Sequence, residues 1–525
     1  MGGRLRIATG AALAAPLCCL FAAAPALGFD ASREQRNFAK IQERYAHEGS
    51  DPGHQADQLE SDAENLTGIL RRDAEEGDRF SASLCGSGIL TCNGDVRFYD
   101  WNGRLGLQVP IIFVNRNGAH LEGHVWISLR PVRSIERERA RRARVKRAKE
   151  ARARLKRRRA RAKRARQRRA RRRGTARRSP AFTGARRPKT RRKKPKGRPM
   201  RVPGVVIETG SVQAPERWYY WAAQVLAAHD YVVMTFDVQG QGRSDLAGSG
   251  PDAFGGVPAQ DRGNFVDGLV DAIDFFFSSD GAPYRARTAS ARERQRTEVA
   301  AGDATAHNPL HGYLDRRRLG IAGHSLGAAA VSVVQGVDSR VDAAVAWDNL
   351  ESGAGVRPRV PALGMSADYL ITPFPHAGDP DPEGLNGAYA DWRRAGVDAM
   401  QVNMRGATHF EWSYSPGPLL PATLRGIDVA AWYTTAWFDR YLRRDPKADD
   451  RLLTKRWHRD PVDAGIDPPE RGNMFSFYFR SRAAFHRLRD GKLARCGDLR
   501  HGCAALVARD GVPEKPPYSY REDRG

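Results

Sequence analysis

The chain has 525 residues, of which 41% are hydrophobic and 28% are charged. A chain of this length and composition can bury a large core, which excludes a protein that is disordered throughout. The formal net charge is +27, but residues 133–201 hold 36 of the 87 Lys and Arg residues and only 3 of the 60 Asp and Glu residues. The rest of the chain is mildly acidic, so the charge indicates one basic insert in an otherwise ordinary protein.

Residues 1–28 are typical of a secretory signal peptide. Two arginines precede an apolar stretch that ends in small residues, which is the order of charge, hydrophobic region and cleavage site in such signals. Gly10, Pro16 and Pro25 interrupt the stretch, which favours cleavage over the alternative of a retained anchor. No later segment reaches the roughly 18 uninterrupted apolar residues that a membrane span needs. We therefore expect a secreted, extracytoplasmic bacterial protein whose mature chain has no transmembrane segment.

Composition and periodicity divide the remaining chain into four parts. Residues 29–93 are polar and acidic with helix-like runs, and they predict a helical N-terminal extension. Residues 94–131 and 202–447 predict one domain, interrupted by an Arg/Lys-rich low-complexity insert at 132–201. Residues 448–525 form a C-terminal extension.

The interrupted domain changes pattern at the insert. Before it, VRFYDW, GLQVPIIFVN and HLEGHVWISL are separated by Asn-Gly turns and predict an antiparallel meander. After it, the strand-like segments VPGVVIETG, YVVMTFDVQ, LGIAG, VDAAVAWD, VPALGMSAD and AMQVNMRG come with intervening helix-like segments. This alternation predicts an α/β fold: a mostly parallel, doubly wound sheet with antiparallel first strands and helices on both faces.

The insert itself has two halves. Residues 134–173 contain no Gly or Pro and can form a helix, although like charges at i,i+4 oppose an isolated one. Residues 174–203 contain five prolines, which predicts a disordered return. The insert should lie at the sheet edge away from the carboxyl ends of the parallel strands. Residues 133–201 then either bind an anionic cell-surface polymer, acidic lipid or nucleic acid, or are a tolerated expansion of a surface loop.

Four cysteines remain after the signal, Cys85, Cys92, Cys496 and Cys503, as two pairs that each enclose six residues. An oxidising compartment favours two local disulfides, while four cysteines allow three connectivities. Neither spacing resembles a zinc site, and we recognise no histidine pair at ligand spacing. The sequence therefore predicts no metal and no cofactor.

The motif GHSLG, which contains Ser325, lies between the strand LGIAG and the helix that begins AAAVSVV. A serine on a sharp strand-to-helix turn needs small neighbours, and the helix N-terminus favours developing negative charge there. A serine hydroxyl becomes a nucleophile only when a base removes its proton. We assign His409, in the loop after AMQVNM, as that base, with His376 in reserve.

A carboxylate must orient the histidine, and a pair of backbone N–H groups must stabilise the oxyanion. Asp368, after the strand PALGMSA, is the first choice of acid because it completes the chain order Ser, Asp, His. Asp348, after AVAWD, is the alternative acid. For the oxyanion hole we predict the amides of Leu326 and Ser211, with the neighbouring residue 212 as the alternative to Ser211.

Together, VVIETGSVQ, YVVMTFDVQGQGRSD, RLGIAGHSLGAA, PALGMSADYLITP and GATHFEWS resemble the α/β-hydrolase superfamily, and within it the dienelactone-hydrolase-like group and bacterial cutinase and polyester-hydrolase-like enzymes. The resemblance implies a serine esterase or lipase acting on a small-molecule or polymeric ester. Amide or peptide hydrolysis is the alternative within the class, and a polyanion-binding cell-surface protein that uses the fold as a scaffold is the alternative outside it. Four aromatic residues should line the substrate pocket: Trp218, Tyr369, Phe410 and Trp412.

Overall fold

The structure is a computed structural model, and it describes eleven parts of the chain. The predicted signal peptide, the N-terminal extension, Cys85 and Cys92 lie outside them. The described residues are 101, 105–172, 201–211, 214–245, 262–348, 350–368, 382–405, 407–413, 424–459, 473–476 and 478–508.

Within these residues, the strands form one mixed, mostly parallel sheet in the order β1-β2-β4-β3-β5-β6-β7-β8-β9-β10. The strands are Gly106–Val114 (β1), His120–Ser128 (β2), Val202–Glu208 (β3), Val232–Phe236 (β4), Leu314–His324 (β5), Ala343–Trp347 (β6), Ala362–Ala367 (β7), Ala399–Met404 (β8), Arg482–His486 (β9) and Leu493–Cys496 (β10). Strands β3 to β8 run parallel to one another, and the strands outside them pair antiparallel. This confirms an α/β fold with antiparallel first strands.

Helices cover both faces of the sheet. They are Leu129–Arg172 (α1), Tyr220–Ala228 (α2), Arg262–Phe276 (α3), Ala289–Ala301 (α4), Leu326–Val337 (α5), Gly387–Arg394 (α6), Leu424–Phe438 (α7) and Lys447–Leu452 (α8). Helices α2 and α7 bury their apolar residues on one face, and α3, α5 and α6 on the other. Strands β3, β6, β7 and β8 are buried along their whole length, which explains why their sequences are largely apolar, whereas β5 is exposed near its start and fully buried from Leu319 to His324. Among the helices described, none is long and apolar enough to cross a bilayer.

Helix α1 is the first half of the basic insert. It begins directly after β2, with Val132 and Ile135 buried against the domain. Beyond its first turns every residue whose burial is described, from Arg139 to Arg169, is exposed. A helix of 44 residues is about 66 Å long. Because β2 runs antiparallel to β4, α1 leaves the sheet at the amino ends of the parallel strands, as the sequence predicts.

The C-terminal extension is built into the same sheet. β9 pairs with β8, and β10 pairs with β9, so residues 482–496 lengthen the sheet by two strands. The boundary predicted at 447 therefore does not separate an independent part. Cys496 and Cys503 form the predicted local disulfide just after β10.

Candidate active site

Ser325 lies at the sharp turn between β5 and α5. Its backbone adopts φ 57° and ψ −121°, a conformation that non-glycine residues rarely occupy and that costs about 1–3 kcal/mol. Strain of this kind persists only where the surrounding structure imposes it. The turn holds the Ser325 side chain at the carboxyl end of β5 and at the N-terminus of a twelve-residue helix.

The two glycines of GHSLG are required by close backbone approach. A Cβ on Gly323 would lie 2.4 Å from the carbonyl oxygen of Gly327. A Cβ on Gly327 would lie 2.4 Å from the carbonyl oxygen of Thr209, at the end of β3. A side chain at Gly323 would push α5 away from β5, and one at Gly327 would push α5 away from the end of β3, so either would open the turn that holds Ser325.

His409 opens a short 3₁₀ turn, His409–Trp412, after β8, and its Nδ1 contacts the carboxylate of Asp348. Asp348 follows β6, the strand next to β5. Its other carboxylate oxygen accepts a hydrogen bond from the Ser366 hydroxyl at 2.8 Å. The carboxylate is 1% exposed and the imidazole 16%, so this pair of side chains is shielded from water on the acid side and accessible on the histidine side. Such a pair can hold the Nδ1 proton and present Nε2 as a base.

Asp368, the first choice of acid in the sequence analysis, lies elsewhere. Its carboxylate accepts a hydrogen bond from the Ser476 hydroxyl, in the C-terminal extension. Ser476 also accepts the backbone N–H groups of Tyr478 and Phe479, at 3.0 and 2.9 Å. Asp368 thus anchors the segment leading to β9. Of the two candidate acids, the structure places the alternative, Asp348, in contact with His409.

A buried hydrogen-bond chain that the sequence analysis missed ties the site together. The N–H of Gly210 donates to the Tyr219 hydroxyl at 3.0 Å, and that hydroxyl lies 2.8 Å from Nδ1 of His324. Nε2 of His324 lies 2.8 Å from the carbonyl oxygen of His409. Burial lowers the pKa of His324 to about 3, so its ring is neutral, with Nδ1 accepting and Nε2 donating. The loop after β3, the serine turn and the histidine turn are therefore joined by one network.

The same network bears on the predicted oxyanion hole. Because the Gly210 amide is used by Tyr219, the next amide along this loop is that of Ser211. A Cβ on Gly210 would lie 3.4 Å from Cβ of Ser325, so the loop runs beside Ser325. Leu326 is the first residue of α5, where backbone N–H groups have no partner within the helix. Both predicted donors thus flank Ser325, while residue 212 lies outside the described residues.

The aromatic residues predicted to line the pocket occupy different environments. Trp218 and Trp412 are buried in the core on the α2 and α7 side. Phe410 is half-buried, and its ring meets that of His409 edge-on at 5.3 Å between centroids. Tyr369 lies outside the described residues. Among the three of these residues that are described, Phe410 lies beside the candidate base, and Trp218 and Trp412 belong to the buried core.

Glu208, at the carboxyl end of β3, is a second buried acid near the turn. It is fully buried, and neither of its carboxylate oxygens has a hydrogen-bond partner. Burial without a compensating partner raises the pKa of Glu208 well above its usual value near 4.3. Burial therefore favours the protonated, neutral form of the Glu208 side chain in the folded protein. No signal in the sequence distinguished this residue from an ordinary strand-end residue.

We expect Glu208→Gln to flatten the pH dependence of stability. In the wild type, the unfolded state ionises above about pH 4.3 while the folded state stays protonated, so stability falls by about 1.4 kcal/mol per pH unit until the folded pKa is passed. Urea unfolding of both proteins at pH 5, 6.5 and 8 measures this. The advantage of the variant should grow with pH, whereas Glu293→Gln, at an exposed position on α4, should show no such trend. Parallel profiles for Glu208→Gln and wild type would contradict the assignment.

Comparison with known proteins does not identify a family for this chain. No protein-family model matches the chain, and a search of curated proteins finds no significant match.

Proposed function

We propose that this protein is a serine hydrolase of carboxylic esters with an α/β-hydrolase fold. The observation that carries the proposal is the pairing of His409 with Asp348 at the sheet edge where Ser325 occupies a strained turn. Strand β8 precedes His409, β6 precedes Asp348 and β5 precedes Ser325. The carboxyl ends of parallel strands in one sheet meet at the same edge. The antiparallel first strands and the strand-turn-helix around Ser325 support the superfamily that the sequence resembles.

Each residue has a defined part in the reaction. His409 Nε2 removes the proton from Ser325 Oγ as that oxygen bonds to the ester carbonyl carbon. The amides of Leu326 and Ser211 stabilise the resulting oxyanion. The intermediate then expels the alcohol, which takes the proton from His409, and leaves an acyl group on Ser325. Water, deprotonated by His409, then bonds to the acyl carbon, and the bond from that carbon to Ser325 Oγ breaks as Oγ takes the proton back from His409, which releases the acid. Asp348 holds the Nδ1 proton throughout and stabilises the charged imidazole.

An apolar group next to the cleaved bond is favoured by the apolar surface near the base. Phe410 presents a half-buried ring beside His409, which suits an acyl or aryl group. Export is supported by the character of residues 1–28 and by the disulfide between Cys496 and Cys503, since such bonds persist in oxidising compartments. Amide hydrolysis by the same residues remains the alternative outcome of the test.

The test is hydrolysis of a p-nitrophenyl ester series of increasing acyl length by the wild type and by Ser325→Ala. Turnover that depends on Ser325 supports the proposal and ranks the acyl groups. Turnover of p-nitroanilide amides alone, again dependent on Ser325, would replace the ester by the amide. Equal rates for both proteins on every substrate would overturn the hydrolase.

A second function, binding of a phosphate-bearing polyanion, is favoured by the exposure of α1. The helix carries 24 Lys and Arg residues against 3 Glu, and 20 of the 24 are Arg. The planar guanidinium of Arg binds phosphate in a bidentate manner, which favours phosphate polymers over carboxylate polymers. Basic residues lie all around the helix and leave no apolar face for insertion into a membrane surface. No aromatic residue is present for base stacking.

We expect binding to inorganic polyphosphate to depend steeply on salt and on α1. Neutralising several phosphates releases counterions, so affinity should fall about 10³-fold or more between 50 and 200 mM salt. A variant with the 16 Lys and Arg residues between 144 and 169 changed to Gln keeps helix propensity and should lose this binding. Fluorescence anisotropy of labelled polyphosphate measures the salt dependence and the loss of binding in the variant, with polyglutamate as the carboxylate competitor.

Ester turnover is the internal control for that variant. Because α1 leaves the sheet at the edge opposite Ser325, the Gln variant should keep wild-type kcat/KM. Polyphosphate binding that is equal in the variant and the wild type would show that the basic helix is a passive insertion.

A further inference from the structure

Three potential metal ligands converge on the sheet edge opposite the candidate active site. Ligand atoms of Asp280, His307 and His311 all lie within 4.8 Å of one another. Asp280 belongs to the turn after α3, and the two histidines belong to the turn that enters β5. The cysteine and histidine spacings considered above predict no metal, but His307 and His311, which are separated by Asn-Pro-Leu, are a histidine pair at i,i+4 spacing that was not among them.

Buried hydrogen bonds fix the two turns relative to each other. Asn308, between the histidines, is fully buried, and its side-chain amide donates to the Phe276 carbonyl at 2.7 Å. The backbone N–H of Asn308 donates to the Ser278 hydroxyl at 3.0 Å. Ser278 precedes Asp280 by two residues, so the acid and both histidines are anchored to one point. The ligands therefore need little ordering to bind an ion.

A hydrogen bond also sets the tautomer of one histidine. Nδ1 of His311 lies 2.9 Å from the backbone carbonyl oxygen of Asn308, and only an Nδ1–H can donate to that oxygen. Nε2 of His311 is then the unprotonated nitrogen, and it faces Asp280 Oδ1 at 2.6 Å. An imidazole that donates one nitrogen to a backbone carbonyl and offers the other to a metal is the usual arrangement of a metal-bound histidine.

The two distances from Asp280 to the histidines lie on either side of the ligand-to-ligand separation in a tetrahedral zinc centre. Ligands at the 2.0–2.1 Å bond lengths typical of zinc with nitrogen and oxygen stand about 3.3–3.4 Å apart. Asp280 Oδ1 lies 2.6 Å from Nε2 of His311 and 4.0 Å from Nε2 of His307. A shift of less than 1 Å in each side chain would equalise the two separations. Asp280 is largely exposed and both histidines are partly exposed, which leaves a fourth position open to water.

We propose that Asp280, His307 and His311 bind a divalent transition-metal ion, with zinc as the fitting member of the class. Two imidazoles and one carboxylate suit borderline ions such as zinc, and they exclude calcium and magnesium, which prefer oxygen ligands. The site joins the turn after α3 to the entry of β5, close to the base of α1, where Arg139 lies over the Tyr313 ring. It does not rest on the proposed hydrolase, because it lies at the other edge of the sheet.

The role of His307 distinguishes a metal site from a simple ion pair between Asp280 and His311. Without a metal, the 2.6 Å contact between Nε2 of His311 and Asp280 requires an additional proton between the two atoms, and His307 then has no part to play. A metal site requires all three residues. The decisive variant is accordingly His307→Ala, which leaves the Asp280–His311 contact and the Asn308 anchor in place.

The experiment is calorimetric titration of zinc into untagged, chelator-treated protein, with cobalt substitution read by its visible absorption. We expect one ion per chain in the wild type and in His501→Ala, which removes an exposed histidine elsewhere. In His307→Ala and in Asp280→Asn the affinity should fall at least tenfold. Circular dichroism melting without metal should show that His307→Ala is folded as the wild type is. Equal affinity in the wild type and a folded His307→Ala, or no stoichiometric binding by the wild type, would overturn the site.

Discussion

Replacing Ser325 by alanine is expected to lower kcat/KM for p-nitrophenyl esters by at least about 10⁴-fold. The substitution removes the atom that forms the acyl-enzyme, and loss of a catalytic serine in triad hydrolases leaves only the contribution of the oxyanion hole and of substrate binding. Steady-state kinetics over a range of ester concentrations measures the effect. The residual rate of Ser325→Ala should still exceed hydrolysis in buffer by about 10³–10⁴-fold, which is the share of the oxyanion hole and of substrate binding.

The fold should survive this change, because Ser325 makes no side-chain capping hydrogen bond to the helix that follows it. Thermal unfolding of Ser325→Ala should stay within about 1 kcal/mol of the wild type. Ser290→Ala, an exposed serine near the start of α4, is the matched control and should keep full activity. A Ser325→Ala protein that retained more than a tenth of wild-type turnover would exclude Ser325 as the nucleophile.

The second large effect distinguishes the two candidate acids. Asp348→Asn should lower kcat/KM about 10³- to 10⁴-fold, because an amide cannot hold His409 in the tautomer that leaves Nε2 as a base, nor stabilise its positive charge. Asp368→Asn should change kcat/KM less than tenfold, because its carboxylate meets Ser476 instead of the histidine. The same ester assay and purified proteins serve both variants.

Stability provides the complementary readout for this pair. Asp368→Asn weakens a buried hydrogen bond that anchors the C-terminal extension, so its free energy of unfolding should drop by about 1–3 kcal/mol. If Asp368→Asn proved the inactive variant and Asp348→Asn the active one, the acid assignment from the sequence would be restored. Neither outcome affects the assignment of Ser325.

Much of the architecture could be read from local patterns. The six parallel strands coincide with the apolar runs identified in the sequence, and the face of α3 that contains Phe265, Leu269 and Ile273 is buried as its periodicity predicts. Parallel strands buried on both sides must be continuously apolar, and a surface helix must repeat every 3.6 residues, so both signals exist in short windows. The short strands β9 and β10 had no such signal, because RAAFH and LARC are too brief and too mixed.

The serine turn was similarly accessible from sequence. Gly323 and Gly327 are needed because backbone atoms approach to distances that no side chain permits, and this need appears directly in the motif. The hydrogen-bond chain through Tyr219 and His324 was not accessible. It joins residues 105 positions apart, and a tyrosine on an apolar helix is otherwise an ordinary core residue.

The sequence by itself determined the α/β class, the antiparallel start of the sheet, the edge from which the basic insert leaves and the turn that holds Ser325. Each of these depends on periodicity or on residues within a few positions of one another. Only the tertiary structure decided that Asp348 meets His409, that Asp368 instead anchors a segment 108 residues away, and that Asp280 joins His307 and His311. These contacts depend on which strands are neighbours and how far each loop extends, and no local pattern encodes either quantity.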